Sequence, residues 1–324
     1  KLQNREIRFI DAISEAIEIS MKNHPNLVLM GQDIAEYGGA FKITEGFVEK
    51  FGKKRVRNTP LCEAAIVGSG LGLSINGYKS MVEMQFADFV TEGFNQIINN
   101  LAKTHYRWNQ NADVVVRMPT GAGTGAGPFH SQSNEAWFTK TPGLKIAYPA
   151  FPDDAKGLLI QSFEDPNPVL FFEHKKLYRS LKGNVPEGFY TTPFGKARKV
   201  KEGNELTIIT YGLGVHIALE FAEKNPEISL DIVDLRTLIP LDTETIYESV
   251  KKCNKVIILH EDTLTCGFGA ELSALISEHC FEDLDAPILR VASMDTPIPF
   301  NKKLEDQFMP NEELAEAVDK ILKY

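Results

Sequence analysis

Residues 9–30, FIDAISEAIEISMKNHPNLVLM, contain the repeating pattern from which the fold of this chain can be predicted. Apolar residues from Phe9 to Met21 recur at helical spacing, which puts them on one face of a helix. The pattern stops before His24-Pro25, and residues 27–30 are continuously apolar, as in a buried strand. The stretch therefore predicts an amphipathic helix followed by a strand inside a sheet.

The same alternation continues along the chain. Further strands are predicted at 81–84, 114–118, 146–148 and 169–172, with helices around 94–101 and 154–163. The pattern resumes with strands at 206–211, 229–233, 256–259 and 288–291 and helices at 215–224, 243–250, 270–281 and 312–322. Strands that alternate with helices predict an α/β fold with a mostly parallel sheet covered on both faces.

The stretch 183–205 separates the two series. It is rich in Pro, Gly and basic residues and has little apolar periodicity, so we interpret it as an interdomain linker. The prediction is a first domain at 1–182, a linker at 183–205 and a second, smaller α/β domain at 206–324.

The composition argues against several classes of protein. A net charge of -9 over 324 residues disfavours a nucleic-acid partner, because binding to phosphate backbones depends on clustered Lys and Arg. The four cysteines lack Cys-x-x-Cys spacing, which indicates neither a zinc site nor a disulfide framework and favours a reducing compartment. No apolar run approaches the roughly 20 residues of a spanning helix, so no membrane partner is expected. We expect a cytoplasmic protein in a bacterium, or one of the mitochondrial matrix in a eukaryote.

Ligands of such folds bind at the carboxyl ends of the strands, so the loops there are the first candidates for a site. Residues 58–63, NTPLCE, lead into a helix with three glycines, Gly68, Gly70 and Gly72. Glycine is costly in a helix, which predicts close packing there. Position alone explains Glu63 as a carboxylate favoured at a helix N-terminus.

A second loop, residues 119–133, is PTGAGTGAGPFHSQS. It lacks the Lys-Ser/Thr of a P-loop and the spacing of a dinucleotide fingerprint, so we reject both phosphate motifs. Its glycines suit a backbone that approaches a ligand or moves over it, while a lone His130 is more often structural than catalytic. A third loop begins at His260-Glu261, which we interpret as a turn and helix cap at an interface, because neighbouring residues do not share one face for metal binding.

Taken together, these segments resemble the beta subunits of thiamine-diphosphate-dependent 2-oxo acid dehydrogenases, in the transketolase-like group, with the branched-chain members most similar. The most specific matches, in order, are TPLCE at 59–63, QFADF at 85–89, HSQS at 130–133 and DPNPVLFFE at 165–173. LYR at 177–179 and DLRTLIPLD at 234–242 extend the resemblance through both domains. It implies a transketolase-like pyrimidine-binding domain followed by a transketolase C-terminal domain.

The resemblance also implies roles for single residues. Glu63 matches the glutamate that holds the aminopyrimidine ring nitrogen of thiamine diphosphate, and Phe89 matches an aromatic residue lying against that ring. Leu61 and Gln85 match neighbours of the same ring. His130 matches a histidine implicated in passing the acyl group to a lipoyl arm, so Glu63 and His130 are the candidate catalytic residues.

The family binds the cofactor's diphosphate and Mg²⁺ through a Gly-Asp-Gly segment followed by Asn-Asn, and this chain lacks that unit. Asn99-Asn100 lies inside a predicted helix and has no Gly-Asp-Gly before it. The resemblance therefore implies an alpha subunit, or a fused alpha half, that supplies the Mg²⁺ ligands in an α₂β₂ heterotetramer. It also implies a 2-oxo acid substrate and a lipoyl-bearing dihydrolipoyl acyltransferase core as partners.

Two further expectations come from the resemblance. Family members carry a structural potassium ion, and the matching residues here are Ala112, Val114, Ser162, Asp165 and Asn167. Cys266 stands where the family usually has glycine. If that glycine needs a positive φ, Cys266 must distort or the loop must differ.

Two alternatives to a branched-chain beta subunit remain, one a related enzyme and the other a protein without catalytic function. A pyruvate or acetoin dehydrogenase beta subunit would share the same motifs, because the acyl pocket in this family is largely built by the alpha subunit. A non-catalytic assembly subunit would keep the fold without the chemistry, although the joint presence of Glu63, Phe89 and His130 argues against it.

Overall fold

The computed structural model describes residues 3–324, which form two α/β units packed against each other. The first unit contains, in order, β1 (Asn4–Arg8), α1 (Phe9–Asn23), β2 (Leu27–Gly31), α2 (Phe47–Phe51), β3 (Val56–Asn58), α3 (Glu63–Ile75), β4 (Lys79–Glu83), a 3₁₀-helix (Ala87–Gly93), a π-helix (Gln96–Leu101), α4 (Ala102–Trp108), β5 (Val114–Thr120), α5 (Ala136–Thr139), β6 (Lys145–Ala147), α6 (Pro152–Glu164), β7 (Val169–His174), α7 (Leu177–Ser180) and β8 (Lys182–Pro186).

The second unit continues with β9 (Arg198–Lys201), β10 (Leu206–Thr210), α8 (Leu213–Lys224), β11 (Leu230–Asp234), β12 (Thr237–Ile239), α9 (Thr243–Cys253), β13 (Val256–Thr263), α10 (Phe268–Cys280), a 3₁₀-helix (Phe281–Asp283), β14 (Leu289–Ser293), α11 (Lys302–Phe308) and α12 (Asn311–Ile321). No helix among residues 3–324 is long and apolar enough to span a membrane.

Two mostly parallel sheets organise these elements. The larger has seven strands in the order β12-β6-β7-β5-β4-β2-β3, and the smaller has five in the order β14-β13-β10-β11-β9. Only the edge strands β12 and β9 run antiparallel to their neighbours in these sheets. The predicted α/β fold with a mostly parallel sheet is confirmed, and β12 from the second unit completes the sheet of the first.

The core of the first unit has two layers because successive strand residues point to opposite faces. Leu29 lies in the cluster that contains the apolar face of α1, whereas Val28 and Met30 lie in the cluster on the other face, with α3. A Cβ on Gly70 would come within 3.1–3.2 Å of side chains on β4 and β5. Gly70 therefore explains the predicted close packing, while a Cβ on Gly72 would meet nothing within 4 Å.

The segment 183–205, predicted as an interdomain linker, includes two short paired strands: β8 pairs with β1 and β9 pairs with β11. Glycine, proline and basic residues are tolerated there since both strands lie at sheet edges. One local expectation is wrong. His260 and Glu261 do not form a turn, because they lie inside β13 and both are buried.

Candidate functional site

Four loops converge at the carboxyl edge of the seven-stranded sheet. β2, β3, β4 and β5 are parallel, so the segments that follow Gly31, Asn58, Glu83 and Thr120 all leave from this edge. They carry, in turn, Gln32, the loop before α3, the segment with Gln85 and Phe89, and the glycine-rich loop with His130. The topology thus gathers the predicted residues where ligands of such sheets bind.

Glu63 is the first residue of α3 and lies at the inner end of a cleft. Its side chain is buried, and its Oε1 accepts a hydrogen bond of 3.1 Å from the Nε2 of Gln32. The cleft has a volume of about 400 Å³ and is lined by Leu61, Cys62, Glu63, Ala64, Phe89 and Glu92. The structure therefore brings Leu61, Glu63 and Phe89 together in one cleft.

An aromatic cluster joins this cleft to the glycine-rich loop. The ring of His130 stands edge-on to Phe86 at 4.8 Å and to Phe89 at 5.4 Å between centroids. Gln85 precedes these rings and is half-buried, but it is not among the residues that line the cleft. His130 and Phe89 are thus neighbours although 41 positions separate them along the chain.

The glycine-rich loop is closed at its base and held on both sides. The Oγ1 of Thr120 donates to the carbonyl of Gln132 at 2.9 Å, and Asp88 accepts from both the backbone N–H and the Nε2 of Gln132. Gly121, Gly123, Gly125 and Gly127 all have positive φ. A Cβ on Gly127 would lie 2.2 Å from the ring of Phe300, so this position requires glycine for space as well as for conformation.

A fully buried charge network lies beneath the site. Arg117 on β5 donates to both carboxylate oxygens of Glu173 on β7 at 2.6 Å and to Glu83 on β4 at 2.7 Å. Burial opposes the charge of Arg117, but the two carboxylates raise the pKa of the guanidinium above its usual value. Because the network ties three neighbouring strands near their carboxyl ends, it fixes the base from which the site loops leave.

The residues matched to a potassium site lie near the opposite edge of the sheet. Ala112 and Val114 precede and begin β5, and Ser162 lies in the last turn of α6. The Oδ1 of Asp165 accepts from the backbone N–H of Asn167 at 2.9 Å, and its Oδ2 binds the ammonium of Lys145 at 2.7 Å. The Oδ1 of Asn167 is buried without a hydrogen-bond partner. An unpaired buried oxygen is compatible with a cation ligand.

Three residues of the site were not predicted from the sequence. Gln32, Asp88 and Glu305 contact Glu63, Gln132 and the glycine-rich loop, respectively. Asp88 lies inside the recognised 85–89 motif, which could have pointed to it. Gln32 and Glu305 become visible only when distant segments are brought together.

The fold defines a class of protein in which an α/β domain with a seven-stranded sheet is followed by a smaller α/β domain with a five-stranded sheet. The transketolase pyrimidine-binding domain family matches residues 5–180, and the transketolase C-terminal domain family matches residues 195–314. A solved structure described as a split gene transketolase, inactive beta4 tetramer, superposes with a TM-score of 0.77 over 98% of each chain at 24% identity, which concerns the fold alone.

Similarity to individual proteins identifies the family within this class. The 2-oxoisovalerate dehydrogenase subunit beta of Bacillus subtilis is 47% identical over 95% of this chain and 96% of its own length. The pyruvate dehydrogenase E1 component subunit beta of the same organism is 40% identical over 98% of this chain and 99% of its own length. The chain belongs to the family of 2-oxo acid dehydrogenase beta subunits, built from the two transketolase domains.

Proposed function

We propose that this chain is the beta subunit of a branched-chain 2-oxo acid dehydrogenase and supplies the pyrimidine half of a thiamine diphosphate site. The observation that carries the proposal is the cleft that unites Leu61, Glu63 and Phe89, with His130 next to it. A buried carboxylate opposite an aromatic ring suits an aminopyrimidine, because one group can hydrogen-bond a ring nitrogen while the other packs against the ring plane.

The cofactor, when bound, supplies the electron sink for decarboxylation of a 2-oxo acid. Glu63 would hold a proton shared with the pyrimidine ring. The hydrogen bond from Gln32 would keep the carboxylate of Glu63 pointing into the cleft. Phe89 would fix the plane of the ring. His130, whose ring packs edge-on against Phe89, would move a proton when the acyl group passes to a lipoyl arm.

A partner subunit is part of the proposal because the cleft is one-sided. Leu61 at its rim is 78% exposed. Among residues 3–324, no group of three or more His, Cys, Asp or Glu side chains is arranged to hold a metal ion. We therefore assign the diphosphate and Mg²⁺ to an alpha subunit, in an α₂β₂ heterotetramer that delivers its acyl group to a lipoyl-bearing acyltransferase in the bacterial cytoplasm or mitochondrial matrix.

A potassium site around Asn167 is also part of the proposal. The proposed ligands of a monovalent cation are carbonyl oxygens at Ala112, Val114, Ser162, Asp165 and Asn167, and the buried, unpaired Oδ1 of Asn167 supports a ligand at this place. The Oδ2 of Asp165 is paired with the ammonium of Lys145, so the proposed ligands are neutral oxygens.

The substrate preference rests on similarity. The 47% identity to the 2-oxoisovalerate subunit, against 40% to the pyruvate subunit of one organism, favours branched-chain 2-oxo acids. A pyruvate enzyme is the alternative with the same chemistry.

Reconstitution with an alpha subunit tests the proposal. The purified chain alone should bind thiamine diphosphate weakly or not at all in calorimetry with Mg²⁺, and the complex should bind it stoichiometrically. The complex should decarboxylate 3-methyl-2-oxobutanoate with a higher kcat/KM than pyruvate. Stoichiometric, Mg²⁺-dependent, micromolar binding to the isolated chain would contradict the half-site, and a preference for pyruvate would contradict the substrate class.

A further inference from the structure

A carboxylate of the second domain binds the backbone of the glycine-rich loop. The Oε1 of Glu305 on α11 accepts hydrogen bonds from the backbone N–H of Gly123 at 2.7 Å and of Gly125 at 3.2 Å, and its Oε2 accepts from Gly125 at 3.1 Å. Glu305 is 1% exposed. Backbone amides that converge in a turn form a concavity for an anion, and here a side chain of the same polypeptide fills it.

The same domain holds the loop at two further points. The backbone N–H of Ala122 donates to the Oε1 of Glu261 at 2.5 Å, and the other oxygen of Glu261 bonds to the Nε2 of His174. The ring of Phe300 packs against Gly127. The second domain thus contacts the loop from Ala122 to Gly127, whereas Asp88 of the first domain holds it at Gln132.

His130 lies between these anchors. Its backbone N–H bonds to the carbonyl of Gly127 at 3.4 Å, and its ring is packed against Phe86 and Phe89. Loops with several glycines have many accessible backbone states, and fixing them is entropically costly. Removing the Glu305 bonds should therefore release the segment that leads to His130.

We propose that Glu305 is a positioning residue, whose carboxylate fixes the glycine-rich loop by its amides and so aligns His130 beside Phe89. The inference rests on the proposed role of His130 in acyl transfer. The carboxylate of Glu305 accepts its hydrogen bonds from the backbone of the loop, so it acts through His130 rather than on the substrate.

The test compares Glu305→Gln and Glu305→Ala in the reconstituted complex, with Asp306→Ala as the matched control. Asp306 is on the same helix, but it is exposed and paired with Lys302 at 3.0 Å. Gln keeps one acceptor oxygen and loses the charge, whereas Ala loses both, so effects should increase from Gln to Ala. The control should behave as the wild type.

The first readout is hydrogen exchange of the peptide that covers residues 119–133. Losing hydrogen bonds to a charged group should accelerate exchange of its amides by about 10- to 100-fold in Glu305→Ala. Exchange of β10 should stay slow, which shows that the variant is folded. Unchanged exchange of the loop in both variants would overturn the proposal, and this readout does not depend on the function assigned to the protein.

The second readout is the ratio of lipoyl-dependent acyl transfer to decarboxylation followed with an artificial electron acceptor. Glu305→Ala should lower the ratio by about tenfold or more. Combining it with His130→Ala should cause little further loss in acyl transfer, since both changes remove the same function. Additive losses, or a faster-exchanging loop with an unchanged ratio, would overturn the positioning role. If His130→Ala alone left transfer intact, the assigned role of His130 would fail, while loop exchange would still report whether Glu305 orders the loop.

Discussion

Replacing Glu63 by Gln should separate the chemistry of this carboxylate from its contribution to folding. The side chain keeps its length and shape, and the Oε1 that accepts from Gln32 remains an oxygen acceptor. The amide cannot share a proton with a pyrimidine nitrogen as a carboxyl group does. The expected loss in kcat is about 10²–10⁴-fold, which corresponds to about 2.7–5.4 kcal/mol of transition-state stabilisation at roughly 1.36 kcal/mol per tenfold.

The cost in stability should be much smaller. Glu63 lies in the first turn of α3, where an anion contributes about 0.3–1 kcal/mol through the helix dipole. Exchanging a charged for a neutral acceptor in the bond from Gln32 costs about 1 kcal/mol more. A total of at most about 2 kcal/mol is a fraction of the loss expected in catalysis.

The assay measures decarboxylation by the reconstituted complex alongside thermal unfolding of the same samples. Glu271→Gln is the matched control, because Glu271 is in the first turn of α10 and is exposed away from the cleft. The control should keep wild-type turnover. Turnover by Glu63→Gln within about threefold of the wild type would refute the role assigned to Glu63.

Three further predictions concern the loop, the buried charges and pH. His130→Ala should depress lipoyl-dependent acyl transfer more than decarboxylation with an artificial acceptor; equal losses in the two assays would assign His130 to substrate binding or loop order. Arg117→Met should lower the free energy of unfolding by about 3–5 kcal/mol in denaturant titrations, because Glu83 and Glu173 would stay buried without their partner; a loss below about 1 kcal/mol would contradict this. Burial raises the pKa of Asp262 to about 7, helped by the charge of Glu261 and opposed by the amide of Thr263. The pKa of Asp262 in the folded protein exceeds the unfolded value of about 3.9. The stability that Asp262 contributes to the folded protein is therefore fully present below about pH 3.9. It is lost as the pH rises through the folded pKa of about 7. Asp262→Asn should therefore flatten the fall in unfolding free energy between about pH 5 and 7, and an unchanged slope in titrations across that range would exclude Asp262 as its source.

Much of the fold is predictable because it depends on local patterns. Buried strands such as β5 and β7 begin with an apolar run, and α1 has an apolar face at helical spacing, so their positions follow from the order of residues. Strands β8 and β9 carry no such run, since most of their residues are not buried, and β12 is only three residues long. Cys266 does have a positive φ of 58°, as its position at a usual glycine suggested.

The sequence by itself determined the α/β class and marked Glu63, Phe89 and His130, because motifs and periodicity are written in consecutive residues. Only the tertiary structure decided that Gln32 donates a hydrogen bond to Glu63 and that Glu305, 180 positions beyond Gly125, binds the amides of the glycine-rich loop. A backbone N–H is the same for every glycine, so its partner leaves no trace in the residues that carry it. Packing of the second domain against the carboxyl edge of the first sheet supplies the partner, and that packing depends on contacts between segments far apart in the chain.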